Sequence, residues 1–127
     1  MKRISILFFL IAAFAVPLFA AQAPEGQPQP SGELKDGVRV IKVEAFRYGF
    51  KPDPIVVKLG EKVKLIATST DVPHGLAIAE FKINEDLVKG KDEEIDFTAD
   101  KKGTFTVYCS VYCGPGHSGM HGTLIVE

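Results

Sequence analysis

A chain of 127 residues is long enough for one compact domain and too short for two that each bury a core of their own. Its 15 Lys and Arg stand against 16 Asp and Glu, a formal net charge of −1, so there is no basic surplus of the kind that holds nucleic acid.

The chain begins MKR, continues with an uncharged run from Ile4 to Ala21, and reaches small residues in AQA, which together form an export pattern over residues 1–23. The run is longer than a usual signal core and near the lower limit for a spanning helix, so a cleaved signal and a retained membrane anchor both stay open. In either case Lys2 and Arg3 remain inside and the rest passes out, to the periplasm or the outer face of the cytoplasmic membrane. Setting these residues aside leaves 13 basic against 16 acidic side chains, a mildly acidic exported part. Its acids crowd at Glu85, Asp86, Asp92, Glu93, Glu94, Asp96 and Asp100, which reads as a solvated loop and edge.

Residues 24–37 are rich in Pro, Gly and Gln and read as an extended tether. From Val38 the texture changes to alternation: Val38 and Val40, then Phe46, Tyr48 and Phe50, predict one strand or two short ones. KPDP is a turn; Ile55, Val57 and Leu59 alternate up to Gly60, and Val63, Leu65 and Ala67 form the next strand before a polar break from Thr68 to Asp71. GLAIAEFKI, from Gly75, reads as a further strand, Lys89 to Asp92 as a turn, and Ile95 with Phe97 as a strand. GTFTVYC alternates through Phe105 and Val107 into Cys109, and GTLIVE closes the series. Seven or so short strands without sustained helical periodicity predict an all-β fold, a Greek-key β-sandwich over residues 38–127. Such a sandwich lets the loop from Cys109 to Gly122 meet the loop that carries His74 at one end.

The only two cysteines, Cys109 and Cys113, share one turn-rich stretch with His117 and Met120. In an oxidising compartment a disulfide is the plain alternative, but it leaves His117 and Met120 unexplained. A cysteine nucleophile with a histidine base leaves Cys109 and Met120 without roles. Thiolate, imidazole and thioether together are the set that selects copper, whereas zinc has no use for Met. His74, in DVPHGL, is the only histidine ahead of the loop and completes the donor set, while His121, next to Met120, points away from it on a strand and is read as a non-ligand. A single copper needs one thiolate. Two thiolates four residues apart can instead each bridge two copper ions.

Cys109-Ser-Val-Tyr-Cys113-Gly-Pro-Gly-His117-Ser-Gly-Met120, with His74 upstream in PHG, resembles the binuclear copper (CuA) motif of cytochrome c oxidase subunit II, and FKPDPIVVKLGEKV is similar to the cupredoxin strand pattern. The resemblance implies that Cys109 and Cys113 bridge two coppers, that His74 and Met120 complete one ion, and that His117 with the main-chain carbonyl of Val111 completes the other. It implies a one-electron carrier without turnover of its own, the electron-entry subunit of an oxidase. Such a subunit accepts from cytochrome c or another small redox donor and passes electrons to haem-copper oxidase subunit I. A standalone periplasmic copper protein, shuttle or delivery, is the other reading. The family often has Glu where Val111 stands, and many relatives carry a Trp near the site, whereas this chain has none. Phe46, Tyr48 and Phe50 are either substitutes for that Trp or core-filling strand residues.

Overall fold

A computed structural model describes residues 26–127, so the export or anchor segment read at residues 1–23 lies outside the described residues. Among the described residues no helix is long and apolar enough to cross a membrane.

Among the described residues ten strands form two packed sheets: β1 (Glu33–Lys35), β2 (Val38–Phe46), β3 (Gly49–Lys51), β4 (Ile55–Val57), β5 (Lys62–Ser69), β6 (His74–Ile78), β7 (Ile83–Leu87), β8 (Glu93–Thr98), β9 (Gly103–Tyr108) and β10 (His121–Val126). The first sheet runs β1-β2-β5-β8, with β3 on the same edge of β2 as β1; the second runs β4-β10-β9-β6-β7. The all-β sandwich expected from the alternation is present. β5 shows why: Val63, Leu65, Ala67 and Ser69 are buried on one face while Lys62 is exposed on the other. Ile41, Leu65, Leu76, Ile78, Leu87, Val107 and Leu124 meet between the sheets, and each loses nearly all its solvent contact. Burial of that kind stabilises by about 1.5–3 kcal/mol per large aliphatic side chain.

Three elements differ from the sequence reading. In β2 the buried face is Arg39, Ile41, Val43 and Ala45, whereas Val38 and Val40 sit half-buried on the outer face. Parity is what decides the face, and a buried arginine disguised it: Arg39 goes inside because Glu61 meets it there, with Oε1 accepting from Nη2 at 2.7 Å. GLAIAEFKI is not one strand. β6 ends at Ile78, a 3-10 turn covers Ala79–Phe81, and Lys82 (φ 56°) sends the chain back as β7. β7 itself has only Ile83 and Leu87 buried, with exposed Asn84, Glu85 and Asp86 between them, and this edge strand therefore looks like a loop in sequence. Finally, part of the stretch read as tether is folded. β1 pairs with β2 through an Asp36-Gly37 turn with both φ angles positive (50° and 79°), the signature of a two-residue hairpin. Ser31 is held as well, its N–H donating to Val56 O at 2.7 Å and its hydroxyl accepting from Val56 N–H at 2.9 Å.

β2 and β5 run parallel, with Ala45 opposite Ser69, and β9 ends opposite the start of β10, with Tyr108 paired to His121. The tip of the β2–β3 hairpin, the loop from β5 to β6 and the loop from β9 to β10 thus share one end of the sandwich. The Arg39–Glu61 pair lies at the other end, where β2 and β5 begin. The acidic side chains of β7 and β8 lie along edge strands of the two sheets, largely exposed, as a charged rim.

Candidate metal centre

The β5–β6 loop is short and fully tied. The Ser69 hydroxyl donates to Val72 O and accepts from Asp71 N–H at 3.3 Å. Asp71 Oδ1 accepts from Val72 N–H at 2.7 Å, and Oδ2 accepts from Arg47 N–H at 2.7 Å. That carboxylate meets His74 Nε2 at 2.7 Å, and the His74 side chain is wholly buried. Burial works against an ionised Asp71, but the hydrogen bonds from Arg47 N–H, His74 and Val72 N–H outweigh it and lower its pKa to about 2. A neutral imidazole that donates Nε2–H to this carboxylate keeps the Nδ1 lone pair free. His74 Nδ1 faces Cys109 Sγ at 3.8 Å.

The β9–β10 loop closes on itself through Cys109 N–H, which donates to Met120 O at 3.3 Å, and through a 3-10 turn at His117–Gly119, where Met120 N–H donates to His117 O at 3.1 Å. It approaches β6 because position 75 has no side chain: a Cβ there would lie 2.0 Å from Ser110 Oγ and 2.9 Å from Val111 N. It approaches the β2–β3 hairpin for the same reason. A Cβ on Gly114 would stand 2.6 Å from the Tyr48 hydroxyl, and one on Gly116 2.6 Å from the Tyr48 ring, while Gly114 also has φ 141°. Beside that contact, Arg47 Nε–H donates to Cys113 O at 2.8 Å.

Both cysteines are free and buried, with their sulfurs 3.8 Å apart. Around Cys109 Sγ lie His74 Nδ1 at 3.8 Å and Val111 O at 3.1 Å; around Cys113 Sγ lie His117 Nδ1 at 3.5 Å and Met120 Sδ at 3.7 Å. Nitrogen and sulfur donors bind late first-row ions at about 2.0–2.3 Å, so two donors on one ion stand about 3.3–3.8 Å apart in tetrahedral geometry. The spacings suit shared metal ions, and the soft donors suit copper. Burial pushes the Cys113 thiol up, the adjacent Cys109 adds to the rise and the Arg47 charge opposes it, so metal uptake must displace a proton.

The five candidate donors read from the sequence, His74, Cys109, Cys113, His117 and Met120, and Val111, which the family resemblance adds, lie together. His121 lies apart: exposed, it donates from Nδ1 to Gly119 O at 2.9 Å. Of the three aromatics, Phe50 is core, whereas Phe46 and Tyr48 are 37% and 39% exposed on the site's side of the molecule. Tyr112 is 75% exposed, its ring 5.6 Å from that of His117. Sequence reasoning passed over Asp71, three residues before His74, and Arg47, whose contacts no local pattern announces. Gly75 was read only as the start of a strand and as part of the histidine motif, with no role in seating the cysteine loop.

A model of the cupredoxin-like domain matches residues 7–126. The chain belongs to that family. As a cupredoxin-like protein it is 34% identical over 87 residues to cytochrome c oxidase subunit 2 of Thermus thermophilus, covering 68% of this chain and 64% of that one. It is 31% identical over 105 residues to nitrous-oxide reductase of Cupriavidus necator, covering 79% of this chain and 16% of that one. The cupredoxin-like chain thus spans less than two thirds of either relative. Among solved structures, a chain of a heme-copper terminal oxidase dimer shares its fold with TM-score 0.68 at 27% identity, over 84% of this chain and 76% of that one.

Proposed function

We propose that this cupredoxin-like domain is a one-electron carrier built around two copper ions, serving as the electron-entry subunit of a haem-copper oxidase on the outer side of the membrane. The observation that carries the reading is the pair of buried, unbridged thiols 3.8 Å apart, each with one imidazole and one weaker donor beside it. Two thiolates in van der Waals contact repel each other when ionised, and two cations between them relieve that repulsion. The likeness to oxidase subunit 2 of Thermus thermophilus and to the heme-copper oxidase chain supports the assignment to an oxidase.

Copper bound there would supply one-electron redox chemistry. The protein's part is to keep the donors still. Asp71 fixes the His74 ring, Gly75 lets Ser110 and Val111 lie against β6, and the 3-10 turn at His117–Gly119 sets His117 and Met120 on the Cys113 side. His74 and Met120 would hold one ion, and His117 with the Val111 carbonyl would hold the other. Half-buried His117 under exposed Tyr112 is the route by which a cytochrome c or another small redox donor comes close, through a small and transient contact. Haem-copper oxidase subunit I is the acceptor. Export rests on residues 1–23.

The deciding experiment is the copper-to-protein ratio of the reduced, copper-loaded chain together with its electron paramagnetic resonance spectrum. Two coppers per chain with hyperfine splitting shared over two nuclei is the expected result. One copper with single-nucleus splitting, or none with Cys109 joined to Cys113, rejects the binuclear carrier. Co-purification with a haem-containing subunit separates an oxidase component from a free copper shuttle or delivery protein.

A further inference from the structure

We infer that Arg47 is a positioning residue of the metal centre: it ties the two donor loops together at the hairpin tip and sets a fixed cation beside the cysteines that raises the reduction potential. The inference rests on the copper reading, and its test is arranged to stand apart from it.

Arg47 and Tyr48 form the two-residue tip between β2 and β3. The main-chain N–H of Arg47 donates to Asp71 Oδ2, and the other oxygen of that carboxylate holds His74. Its side-chain Nε–H donates to the carbonyl of Cys113. One residue is thus joined to one donor from each of the two loops, to His74 through the Asp71 carboxylate and to Cys113 directly at its main-chain carbonyl. The contacts bridge 24 and 66 positions of sequence, so neither is a by-product of local turn geometry. Among the described residues no carboxylate forms an ion pair with the Arg47 guanidinium, whereas Lys35, Arg39, Lys64 and Lys91 each have a carboxylate partner. A guanidinium keeps its charge at every pH a protein survives. The Arg47 guanidinium is therefore directed at the cysteine loop with no carboxylate at ion-pair distance, and the Asp71 carboxylate on its main-chain N–H is the opposing charge nearby.

The sign follows from electrostatics. Taking up an electron makes the centre less positive, and a nearby cation stabilises that state, so removing the cation lowers the potential. The side-chain hydrogen bond and the charge are separable. Arg47→Gln keeps a donor without charge, Arg47→Lys keeps charge without the planar fork, and Arg47→Ala removes both while leaving the main-chain bond to Asp71.

The test is a redox titration of the copper-loaded variants, with amide hydrogen exchange of the copper-free proteins. Arg47→Ala should shift the one-electron equilibrium about tenfold toward the oxidised form, about 59 mV downward. Arg47→Lys should return most of that shift, and Arg47→Gln should match Ala in potential. In the copper-free proteins the amides of His117, Gly119 and Met120 should exchange faster in the Ala variant, with the Asp71–His74 loop unchanged. An Ala variant with the parent potential, or a Lys variant as low as Ala, overturns the electrostatic role. Unchanged exchange in the cysteine loop overturns the tie. If the parent binds a single copper, the proposed function fails by that count alone, and the exchange measurement still decides whether Arg47 holds the loop.

Discussion

Replacing Gly75 by Ala tests how closely the cysteine loop is laid against β6. The added Cβ would lie 2.0 Å from Ser110 Oγ, 2.9 Å from Val111 N and 3.0 Å from Ser110 N. Ser110 is exposed and its hydroxyl can rotate aside, but the two main-chain nitrogens cannot, and ordinary contacts need about 3.5–4.0 Å. The loop must recede by roughly 0.5 Å or more, a strain of the overpacking kind that costs about 1–3 kcal/mol. Gly75 does not have a positive φ, so Ala also stiffens the unfolded chain and offsets about 0.4–1 kcal/mol of that. The net loss is about 1–2 kcal/mol, which lowers the urea midpoint of the copper-free protein by about 1 M at a typical slope. The chain has no Trp, so circular dichroism is the natural probe. The same displacement moves Cys109 Sγ relative to His74 Nδ1, so copper uptake should weaken in parallel. A Gly75→Ala midpoint at or above that of the parent refutes the reasoning. So does full recovery on adding Ser110→Ala, because only the contact with the hydroxyl would then have mattered.

Glu61→Gln should destabilise by about 2–3 kcal/mol, because it leaves Arg39 charged and only 11% exposed without its partner, and copper uptake should not change, since the pair lies at the far end of the sandwich. The Arg39 hydrogen bond holds the Glu61 carboxyl below its ordinary value, so this stability is complete above the ordinary glutamate range and is lost as pH falls through the lower folded value; a urea midpoint measured against pH should show that loss in the parent and not in Glu61→Gln. Cys113→Ser should leave at most one copper per chain with single-nucleus hyperfine splitting, and retention of two coppers would remove the bridging role from Cys113. Val111→Ala should preserve the spectrum of the copper-loaded protein because the donor assigned there is main chain; a spectrum lost with a normal fold would mean that the half-buried side chain sets the carbonyl's place.

The cluster of candidate donors was legible because soft ligand chemistry is rare and most of it is here packed into one segment, from Cys109 to Met120, to which the fold brings His74. The sandwich was legible where one face is plainly polar, as in β5. It was misread where that contrast fails: Arg39 inverted the apparent parity of β2, and the three polar residues inside β7 hid an edge strand. Asp36-Gly37 is a hairpin signal, but it stands at the end of a Pro- and Gly-rich stretch whose composition reads as tether. Asp71 and Arg47 escaped notice because what places them is hydrogen bonding across long separations, and that leaves no periodicity.

The position of β10 governs when the centre can exist at all. It lies between β4 and β9, paired in parallel with the first and antiparallel with the second. A chain delivered N-terminus first can assemble β1, β2, β5 and β8 early, yet its second sheet stays split into β4 on one side and β9-β6-β7 on the other until residues 121–126 slot between them. Met120 directly precedes that strand, and Cys109 N–H is held by Met120 O. The candidate donor cluster is therefore incomplete until β10 is seated between β4 and β9, because Met120 and its bond to Cys109 arrive with that strand.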